Sequence, residues 1–389
     1  MNFTFKNIGT ITSDKHPVSQ IGIGLKGVTL LNGDNASNKS IIARAMFCTL
    51  NAYYNVENTV ENSKVSRIKT KLRRVNFEEY SDDVTAGKHQ KLAKQIYLKA
   101  DRNNLEEDVQ RIIRESFTLS DNHKELDVDY DKIVKRASDD IIKTLEKDLS
   151  AVLNPFVVRY FDNEFKGQLS NVDAAIRTTE IGVETFRATH FLIKDSKELV
   201  LNKLFSFNTP TFYLDNPFLM DVQYEPEYGS IEELLDTRGI ILRHEHLKFF
   251  LYKEMTEDMT YSPSSAVQKV IDRIEKIVGG TLITDKKGYL FKSKQNENPI
   301  RLINVGSSHK LFFMILALLK NGSLIEGGHL IIDNMDIFLD KKHKKYLNAL
   351  ITMLNKEMGV KIVLVTNETK ELAEMLESEQ VAYEINKLT

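Results

Sequence analysis

One stretch near the N-terminus constrains the fold of this chain more than any other: residues 28–44, with the sequence VTLLNGDNASNKSIIAR. Its first four positions are mostly apolar and predict a buried strand, whereas the apolar residues from position 41 onward recur at helical spacing. A loop of Gly, Asn and Ser residues lies between them. The stretch therefore predicts a strand, a loop and a helix in that order, which is the context in which phosphate-binding loops occur.

The spacing inside this loop matches the P-loop pattern G-x-x-x-x-G-K-[ST] at all but one position. Gly33 takes the first glycine position, Lys39 and Ser40 take the lysine and serine positions, and Asn38 stands at the second glycine. Asparagine is the most tolerable replacement there, because it adopts left-handed backbone conformations more readily than other residues with a side chain. The pattern predicts a nucleotide site, although Gly, Asn and Ser are also ordinary turn residues.

The chemistry of phosphate binding explains this spacing. Successive backbone N–H groups can surround a phosphate, and the helix that follows points its positive N-terminus toward it. Lys39 would supply a cation to the β- and γ-phosphate oxygens, and Ser40 would ligate Mg²⁺. We therefore predict that ATP and Mg²⁺ are bound by the loop residues Gly33, Asp34, Asn35, Ala36, Ser37, Asn38, Lys39, Ser40 and Ile41.

Three short segments near the C-terminus add to this prediction. Residues 329–333, HLIID, predict an apolar strand that ends in Asp333, and a Walker B aspartate at such a strand end holds Mg²⁺. Residues 304–310, NVGSSHK, open an apolar helix, and residues 361–366, KIVLVT, predict another buried strand. The sequence therefore predicts Asp333 as a metal ligand together with Ser40.

The order of these segments resembles that of the ABC-type ATPases of the RecF/SMC/OLD group. In particular, the chain resembles the small chromosomal "AAA family ATPase" proteins of that group. Their C-terminal pattern runs N-x-A-S-G-x-K, then a strand ending in D-E-P-E-x-x-L-H-P, then a strand ending in T-H-S. The opening residues 5–11, FKNIGTI, belong to the same resemblance. It implies an α/β fold, a P-loop ABC-type ATPase head with a mixed sheet, flanking helices and an antiparallel lobe, which carries a helical insertion.

The resemblance also implies roles for single residues. Ser307 matches the signature serine, which in this group reaches the γ-phosphate bound on the opposite subunit. Asn334 stands at the position of the catalytic glutamate, and Asn367 replaces the histidine of T-H-S. Because an amide cannot accept a proton at neutral pH, we predict that the chain alone hydrolyses ATP slowly or not measurably. The alternative is that Asp336 or Asp340, a few residues beyond the strand end, is the working carboxylate.

One glutamine in the middle of the chain is a further candidate. Gln168, in the segment FDNEFKGQLSN, is a candidate for the glutamine that reaches the nucleotide Mg²⁺ or the attacking water in ABC proteins. Its position is the only support for this role, so an ordinary glutamine in a surface loop is the competing interpretation.

The amino-acid composition limits the classes of protein to which this chain can belong. The chain has 389 residues, 42% of them hydrophobic and 28% charged, with a formal net charge of −2, so no overall charge indicates a nucleic-acid partner. The single cysteine, Cys48, cannot form an internal disulfide. The longest apolar run, residues 311–319, is far too short to cross a bilayer. We therefore predict a cytoplasmic protein with no membrane partner.

The chain divides into four segments by pattern. Residues 1–50 hold the N-terminal part of the head with the P-loop, and residues 51–155 are predicted to be a helical insertion that ends at Pro155. Residues 156–280 predict strands of the lobe sheet, the first of them VVRYF, followed by a helical segment. Residues 281–389 hold the C-terminal part of the head, with the signature-like loop and Walker B.

Partners are suggested by one basic cluster and by the resemblance. The cluster lies in the predicted insertion and is a candidate for contact with a DNA backbone, although a solvated helix face is the more common explanation. The resemblance implies association with a second copy or a paralogous ATPase head, and an effector protein is possible. The cluster consists of Lys64, Arg67, Lys69, Lys71, Arg73 and Arg74.

Three functional hypotheses follow. The first is an ATP-binding ABC-type protein that dimerises around nucleotide and acts as a switch or ATPase in DNA repair or phage defence, as the resemblance implies. The second is a pseudo-ATPase, a binding or scaffold subunit that works with a partner protein without hydrolysis of its own. The third, the energising subunit of a transporter, is disfavoured because the predicted insertion is large and the signature lacks paired glycines.

Overall fold

A computed structural model gives the fold of two separate parts of the chain. It describes residues 1–9, 20–34, 37–75, 77, 87–120, 127–170, 178–184, 188–194, 198–201, 206–221, 242–252, 261–285 and 288–388. The chain divides into two compact units, one made of residues 1–54 with 156–389 and the other of residues 55–155. The second unit begins four residues after the start of the helical insertion predicted at 51–155.

The larger unit is built around a parallel sheet of five strands in the order β13-β3-β12-β11-β7. All four pairings are parallel, so the carboxyl ends of the strands lie at one edge of the sheet. Most positions in the three central strands are buried apolar residues, as expected for a sheet covered on both faces. The strands are β3 (Val28–Gly33), β7 (Thr211–Leu214), β11 (His329–Asp333), β12 (Lys361–Val365) and β13 (Tyr383–Leu388).

The same unit contains two antiparallel sheets. One has five strands in the order β2-β1-β4-β5-β6 and the other has three in the order β10-β9-β8. The strands are β1 (Asn2–Lys6), β2 (Gln20–Gly24), β4 (Thr178–Glu184), β5 (Ala188–Lys194), β6 (Glu198–Leu201), β8 (Gly280–Asp285), β9 (Gly288–Ser293) and β10 (Ile300–Arg301). The predicted fold class, α/β with flanking helices, an antiparallel lobe and a helical insertion, is confirmed. The parallel and antiparallel strands lie in separate sheets.

The helices of the larger unit that follow β7 in the sequence pack with the parallel sheet into one hydrophobic core. The helix that opens at Ser307 is buried from Lys310 through Leu319, which explains its almost uninterrupted apolar sequence. None of the helices in the described parts of the chain is long and apolar enough to cross a membrane. The helices are α1 (Lys39–Ala52), α7 (Arg243–Leu251), α8 (Ser265–Val278), α9 (Ser307–Lys320), α10 (Lys341–Met358) and α11 (Lys370–Ser378).

The smaller unit is helical and has a hydrophobic core of its own. Its apolar residues recur at helical spacing, so each helix buries one stripe of side chains among the others. The helices are α2 (Val56–Arg73), α3 (Lys88–Lys99), α4 (Leu105–Ser116) and α5 (Asp127–Leu145), and α6 (Leu149–Phe165) follows.

The predicted helix end at Pro155 is wrong. Helix α6 continues through Pro155 to Phe165, so the run VVRYF at 157–161 is helical and is not the strand that the sequence predicted. Proline lacks the N–H that would bond one turn back, but Pro155 lies on an exposed face, where water can satisfy the carbonyl left without a donor. Buried Leu153 and Val157 on either side support the helix by packing.

Candidate functional site

In the loop after β3, Asn38 has the backbone geometry that the sequence predicts. Asn38 has φ 63° and ψ 13°, which is the left-handed conformation that a glycine would adopt without strain, and α1 begins at the next residue. A Cβ atom on Gly33 would lie 2.1 Å from the carbonyl oxygen of Leu388, so this position has no room for a side chain. Two residues of the predicted site, Asn35 and Ala36, lie outside the described residues.

Lys39 lies inside the loop and is only 6% exposed. Its Nζ donates to the carbonyl oxygens of Gly33 at 2.6 Å and Asp34 at 2.8 Å, and to the hydroxyl of Ser37 at 3.3 Å. These three contacts use the three donors of the ammonium group. The loop thus concentrates a positive charge at the N-terminus of α1, where the helix dipole also favours an anion.

Asp333 lies beside Ser40, although 293 residues separate them in the sequence. The strand before the loop of Ser40, β3, and the strand that ends in Asp333, β11, are separated only by β12 and end at the same edge of the sheet. The hydroxyl of Ser40 donates to Oδ1 of Asp333 at 2.9 Å. Two oxygen ligands at this distance suit a hard cation such as Mg²⁺, which prefers carboxylate and hydroxyl oxygens.

The environment of Asp333 includes a partner that the sequence did not reveal. The hydroxyl of Tyr213, in β7, donates to Oδ2 of Asp333 at 2.5 Å. Burial raises the pKa of Asp333, and the hydrogen bonds from Tyr213 and Ser40 act in the opposite direction. Burial and the Asp333 charge raise the pKa of Tyr213 well above its usual value, so the phenol remains a donor.

Asn334 also turns its side chain toward this cluster. Its backbone is left-handed, with φ 51°, and its N–H donates to the carbonyl oxygen of Val365 at 3.0 Å. Its amide Nδ2 donates to Oδ1 of Asp333 at 2.8 Å and lies 3.5 Å from the hydroxyl of Ser40. The residue predicted at the catalytic position therefore contacts both predicted metal ligands.

Two aspartates considered as alternative carboxylates have other partners. Asp336 accepts a hydrogen bond from the hydroxyl of Thr366 at 2.8 Å. Asp340 caps α10 by accepting from the backbone N–H of His343 at 2.9 Å, which is a structural role. Asn367 follows β12 and is exposed at the same edge of the sheet.

Ser307 and Gln168 stand apart from this cluster. Ser307 is the first residue of α9 and is half-buried, and among the described residues it is not one of those that hydrogen-bond to Asp333. Gln168 is exposed just after α6. The residue after it, Leu169, accepts a hydrogen bond from the N–H of Gly9 at 2.9 Å. Gly9 in turn lies close to the P-loop, because a Cβ atom on it would be 3.6 Å from Oδ1 of Asn38. The roles predicted for Ser307 and Gln168 remain predictions.

A second polar group lies at the same edge of the sheet, and the sequence did not predict it. Asp215, the residue after β7, contacts Nε of Arg243 at 2.9 Å and Nε2 of His244 at 2.7 Å. Arg243 also pairs with the buried carboxylate of Glu164, to which Nε of Arg44 donates at 2.6 Å. Burial alone would raise the pKa of Asp215, but His244 and Arg243 outweigh it and hold that pKa below its usual value.

The solved structures that resemble this chain include SMC head domains. One is the SMC head domain from Thermotoga maritima, 12% identical, which covers 100% of this chain and 94% of its own with a TM-score of 0.38. A second is the SmcHead bound to the C-winged helix domain of ScpA, 11% identical, with 96% and 90% coverage and a TM-score of 0.42. A third is the Smc head domain with an extended coiled coil bound to the C-terminal domain of ScpA derived from Pyrococcus furiosus, 8% identical, with 96% and 90% coverage and a TM-score of 0.36.

Sequence comparison adds no further relative. No protein-family model matches the chain, and neither does any curated protein.

In the helical unit, the predicted basic cluster does not form a single face. Lys64 is buried, and its Nζ donates to the carbonyl oxygens of Leu145 at 2.7 Å and Lys147 at 2.6 Å. It therefore neutralises the C-terminus of α5 and does not face a nucleic acid. Lys71 and Arg74 line an open cavity of about 320 Å³ together with Arg136 of α5.

We expect Lys64→Met to destabilise the helical unit. The change keeps most of the side-chain volume but leaves the Leu145 and Lys147 carbonyls without their donor, which costs about 1–3 kcal/mol of unfolding free energy. Urea unfolding of the full chain, followed by circular dichroism, measures this loss. The control is Lys69→Met on the same helix, and equal stability of the two variants would contradict the capping role.

Proposed function

We propose that this chain is an ABC-type ATPase-like protein that binds ATP with Mg²⁺ through Lys39, Ser40 and Asp333. The observation that carries the proposal is the 2.9 Å hydrogen bond between Ser40 and Asp333, which joins the P-loop helix to the end of β11. A chance Gly/Asn/Ser turn has no reason to place its serine against a buried aspartate from the far end of the chain. This geometry favours a phosphate site over an ordinary turn.

The donor set fits the proposed metal. Ser40 and Asp333 offer two oxygen ligands, and Mg²⁺ usually combines one or two such protein ligands with phosphate oxygens and water. When bound, the ion neutralises charge on the β- and γ-phosphate oxygens. Tyr213 holds the carboxylate of Asp333 from its other oxygen, so the side chain keeps one orientation.

The direct test is isothermal titration calorimetry of ATP into the purified full chain, with Mg²⁺ and with EDTA. We expect saturable binding that is tighter with Mg²⁺, because the ion links the phosphates to both protein oxygens. The absence of binding under both conditions would overturn the proposal.

The proposed function has two versions, which differ in whether the chain itself hydrolyses ATP. In the first, the chain hydrolyses ATP slowly, because amides at Asn334 and Asn367 cannot accept the proton of an attacking water. In the second, it is a pseudo-ATPase that binds nucleotide as a switch or scaffold for a partner. Phosphate release by the pure protein separates them, and we favour the first because Asn334 still faces both predicted metal ligands.

We also propose nucleotide-dependent association of two heads, either two copies or one copy with a paralogue. Support comes from apolar side chains exposed on the short helical turns that follow β7, precede α9 and follow β11. They are Phe218, 46% exposed, Ile303, 63% exposed, and Ile337, 72% exposed. The ring of Phe218 also contacts that of Phe338, at 5.8 Å between centroids. Apolar groups exposed near one site are typical of surfaces that bind another protein.

Ser307→Arg is expected to abolish this association and leave ATP binding unchanged. Ser307 is the predicted contact with the γ-phosphate on the opposite head, and a long cationic side chain there would clash with the facing loop. Light scattering with ATP and Mg²⁺ would then give a monomer mass for the variant and a dimer mass for wild type. A serine in the helical unit that is half-buried like Ser307, Ser116, supplies the control Ser116→Arg. A dimer that persists in Ser307→Arg would contradict the assignment.

The wider role is proposed from the sequence resemblance, and DNA as a partner also from one cavity in the helical unit. We propose a switch or ATPase that acts in DNA repair or phage defence, with an effector protein or DNA as its partner. For DNA, the supporting observation is the cavity lined by Lys71, Arg74 and Arg136, whose three cations outnumber the one carboxylate in the lining, Asp140, since clustered cations suit phosphate oxygens.

A further inference from the structure

Asp215 occupies a position directly beside the predicted Walker B aspartate. In the parallel pairing of β7 with β11, Tyr213 lies opposite Ile331 and Leu214 lies opposite Ile332. Asp215 is the first residue after β7 and Asp333 is the last residue of β11, so this register, continued by one residue, brings Asp215 opposite Asp333. Neighbouring strands in a sheet are about 4.8 Å apart, so the two carboxylates emerge near each other at the carboxyl edge.

Both side chains emerge on the same face of the sheet. Alternate residues of a strand point to the same side, which groups Tyr213 with Asp215 on β7 and places Asp333 on the matching side of β11. The hydrogen bond from Tyr213 to Asp333 agrees with this geometry, because it joins the two strands across that face. Asp215 also lies close enough to Asp333 for its charge to raise the pKa of Asp333.

The surroundings of Asp215 keep it charged and fixed. Its carboxylate is 17% exposed, with Arg243 on one oxygen and His244 on the other. Arg243 lies over the ring of Tyr213, at 5.6 Å from the centroid, so the group is locked against the side chain that also holds Asp333. An ionised carboxylate has about four acceptor sites, and Asp215 therefore retains acceptor capacity for a water molecule.

A purely structural role for this carboxylate is the competing explanation. Arg243 has a second carboxylate partner, Glu164, which is more deeply buried than Asp215 and is also held by Arg44. If Asp215 only fixed Arg243, loss of either carboxylate charge would act through the same arginine and have the same kind of effect. The two carboxylates differ in their place in the fold, because Asp215 directly follows β7, the strand that pairs with β11, whereas Glu164 lies in helix α6.

We propose that Asp215 accepts the proton of the attacking water during slow ATP hydrolysis, in place of the glutamate that Asn334 replaces. This inference rests on the proposed ATP binding. The water oxygen forms a bond to the γ-phosphorus, and the bond from the γ-phosphorus to the bridging oxygen breaks with its electron pair going to ADP. The water proton passes to the Asp215 carboxylate and then to the phosphate product. Arg243 and His244 each contact one oxygen of Asp215, so this carboxylate accepts a proton less readily than a free one does, and turnover is slow.

The test compares Asp215→Asn, Asp215→Glu and Glu164→Gln with wild type in the full chain. Calorimetry gives the affinity for ATP with Mg²⁺, and phosphate release gives kcat and KM. We expect a slow but measurable wild-type rate and a fall in kcat of at least about tenfold in Asp215→Asn, with ATP affinity and KM unchanged. Asp215→Glu restores part of the rate, and Glu164→Gln leaves it unchanged relative to wild type even where its melting temperature falls.

Several outcomes would overturn the assignment. If the wild type binds ATP but releases no more phosphate than a buffer control, Asp215 is not a proton acceptor. Equal losses of rate in Asp215→Asn and Glu164→Gln would indicate a structural role through Arg243, and an unchanged rate in Asp215→Asn would exclude the residue. Failure of ATP to bind at all is a different result, because it overturns the proposed function itself.

Discussion

Asn334→Glu is expected to raise the rate of ATP hydrolysis by the pure chain by about 10²- to 10⁴-fold, which is the usual contribution of a general base. The native amide donates to Asp333 and lies close to Ser40, so a side chain at this position already points into the site. Glutamate there can accept a proton, whereas the amide can only hydrogen-bond. Phosphate release at saturating ATP and Mg²⁺ is the measurement.

Two energetic costs bring the expected increase in hydrolysis rate toward the lower end of the 10²- to 10⁴-fold range. Residue 334 has a left-handed backbone, with φ 51°, and a residue other than Gly, Asn or Asp loses about 1–2 kcal/mol in that conformation. A further carboxylate next to Asp333 also repels it until Mg²⁺ compensates the charge. Asn334→Gln shares the length and the backbone strain but has no base, so it is the matched control. A gain of equal size in Asn334→Gln would refute the role of the carboxylate.

The competing carboxylates give a clear comparison in the same assay. Asp336 is bonded to Thr366, and Asp340 caps α10, so we expect Asp336→Asn and Asp340→Asn to leave the rate of phosphate release unchanged. A fast wild type that either change abolishes would mean that the catalytic carboxylate lies beyond the strand end. It would also mean that Asn334 does not stand at the catalytic position.

The parts of the site that the sequence predicted are those with a local signal. The P-loop residues are consecutive, and Asp333 ends a short apolar strand, so each could be identified from its own segment. Their proximity followed from the rule that parallel strands end at one edge of the sheet. The left-handed backbone of Asn38 likewise agrees with a local property of asparagine.

The parts that the sequence did not predict depend on register between distant strands. Tyr213 reaches Asp333 across 120 residues, and nothing in the segment around it specifies that β7 pairs with β11. The pairing of Glu164 with Arg243 has the same origin, because ion pairs between distant segments leave no periodic pattern. The error at Pro155 has the opposite cause. Proline is a strong local signal for a helix end, but packing keeps α6 helical beyond it.

Lys39→Ala is expected to weaken ATP binding by about 5- to 150-fold, which corresponds to about 1–3 kcal/mol for a charge-assisted contact in a partly buried site. Lys39 is the cation placed inside the loop. The gain from its contact with phosphate is reduced, because the ammonium must first give up bonds to Gly33, Asp34 and Ser37. The expected loss of ATP affinity is therefore smaller than it would be for a lysine that has no other partners in the free protein.

The removal of Lys39 also takes a donor from the loop carbonyls, so a loss of affinity has two possible causes, a missing charge or a collapsed loop. Lys39→Met separates them in part, because it restores side-chain volume without the charge, and we expect it to bind ATP as weakly as Lys39→Ala. Lys26→Ala, at an exposed lysine in the same unit, should bind like wild type. Melting temperatures measured without nucleotide show whether a variant destabilises the fold through the loop. Calorimetry with ATP shows how much affinity is lost with the charge. Equal ATP affinity in wild type and Lys39→Ala would mean that Lys39 does not contact the phosphates, and the loop would then be an ordinary turn.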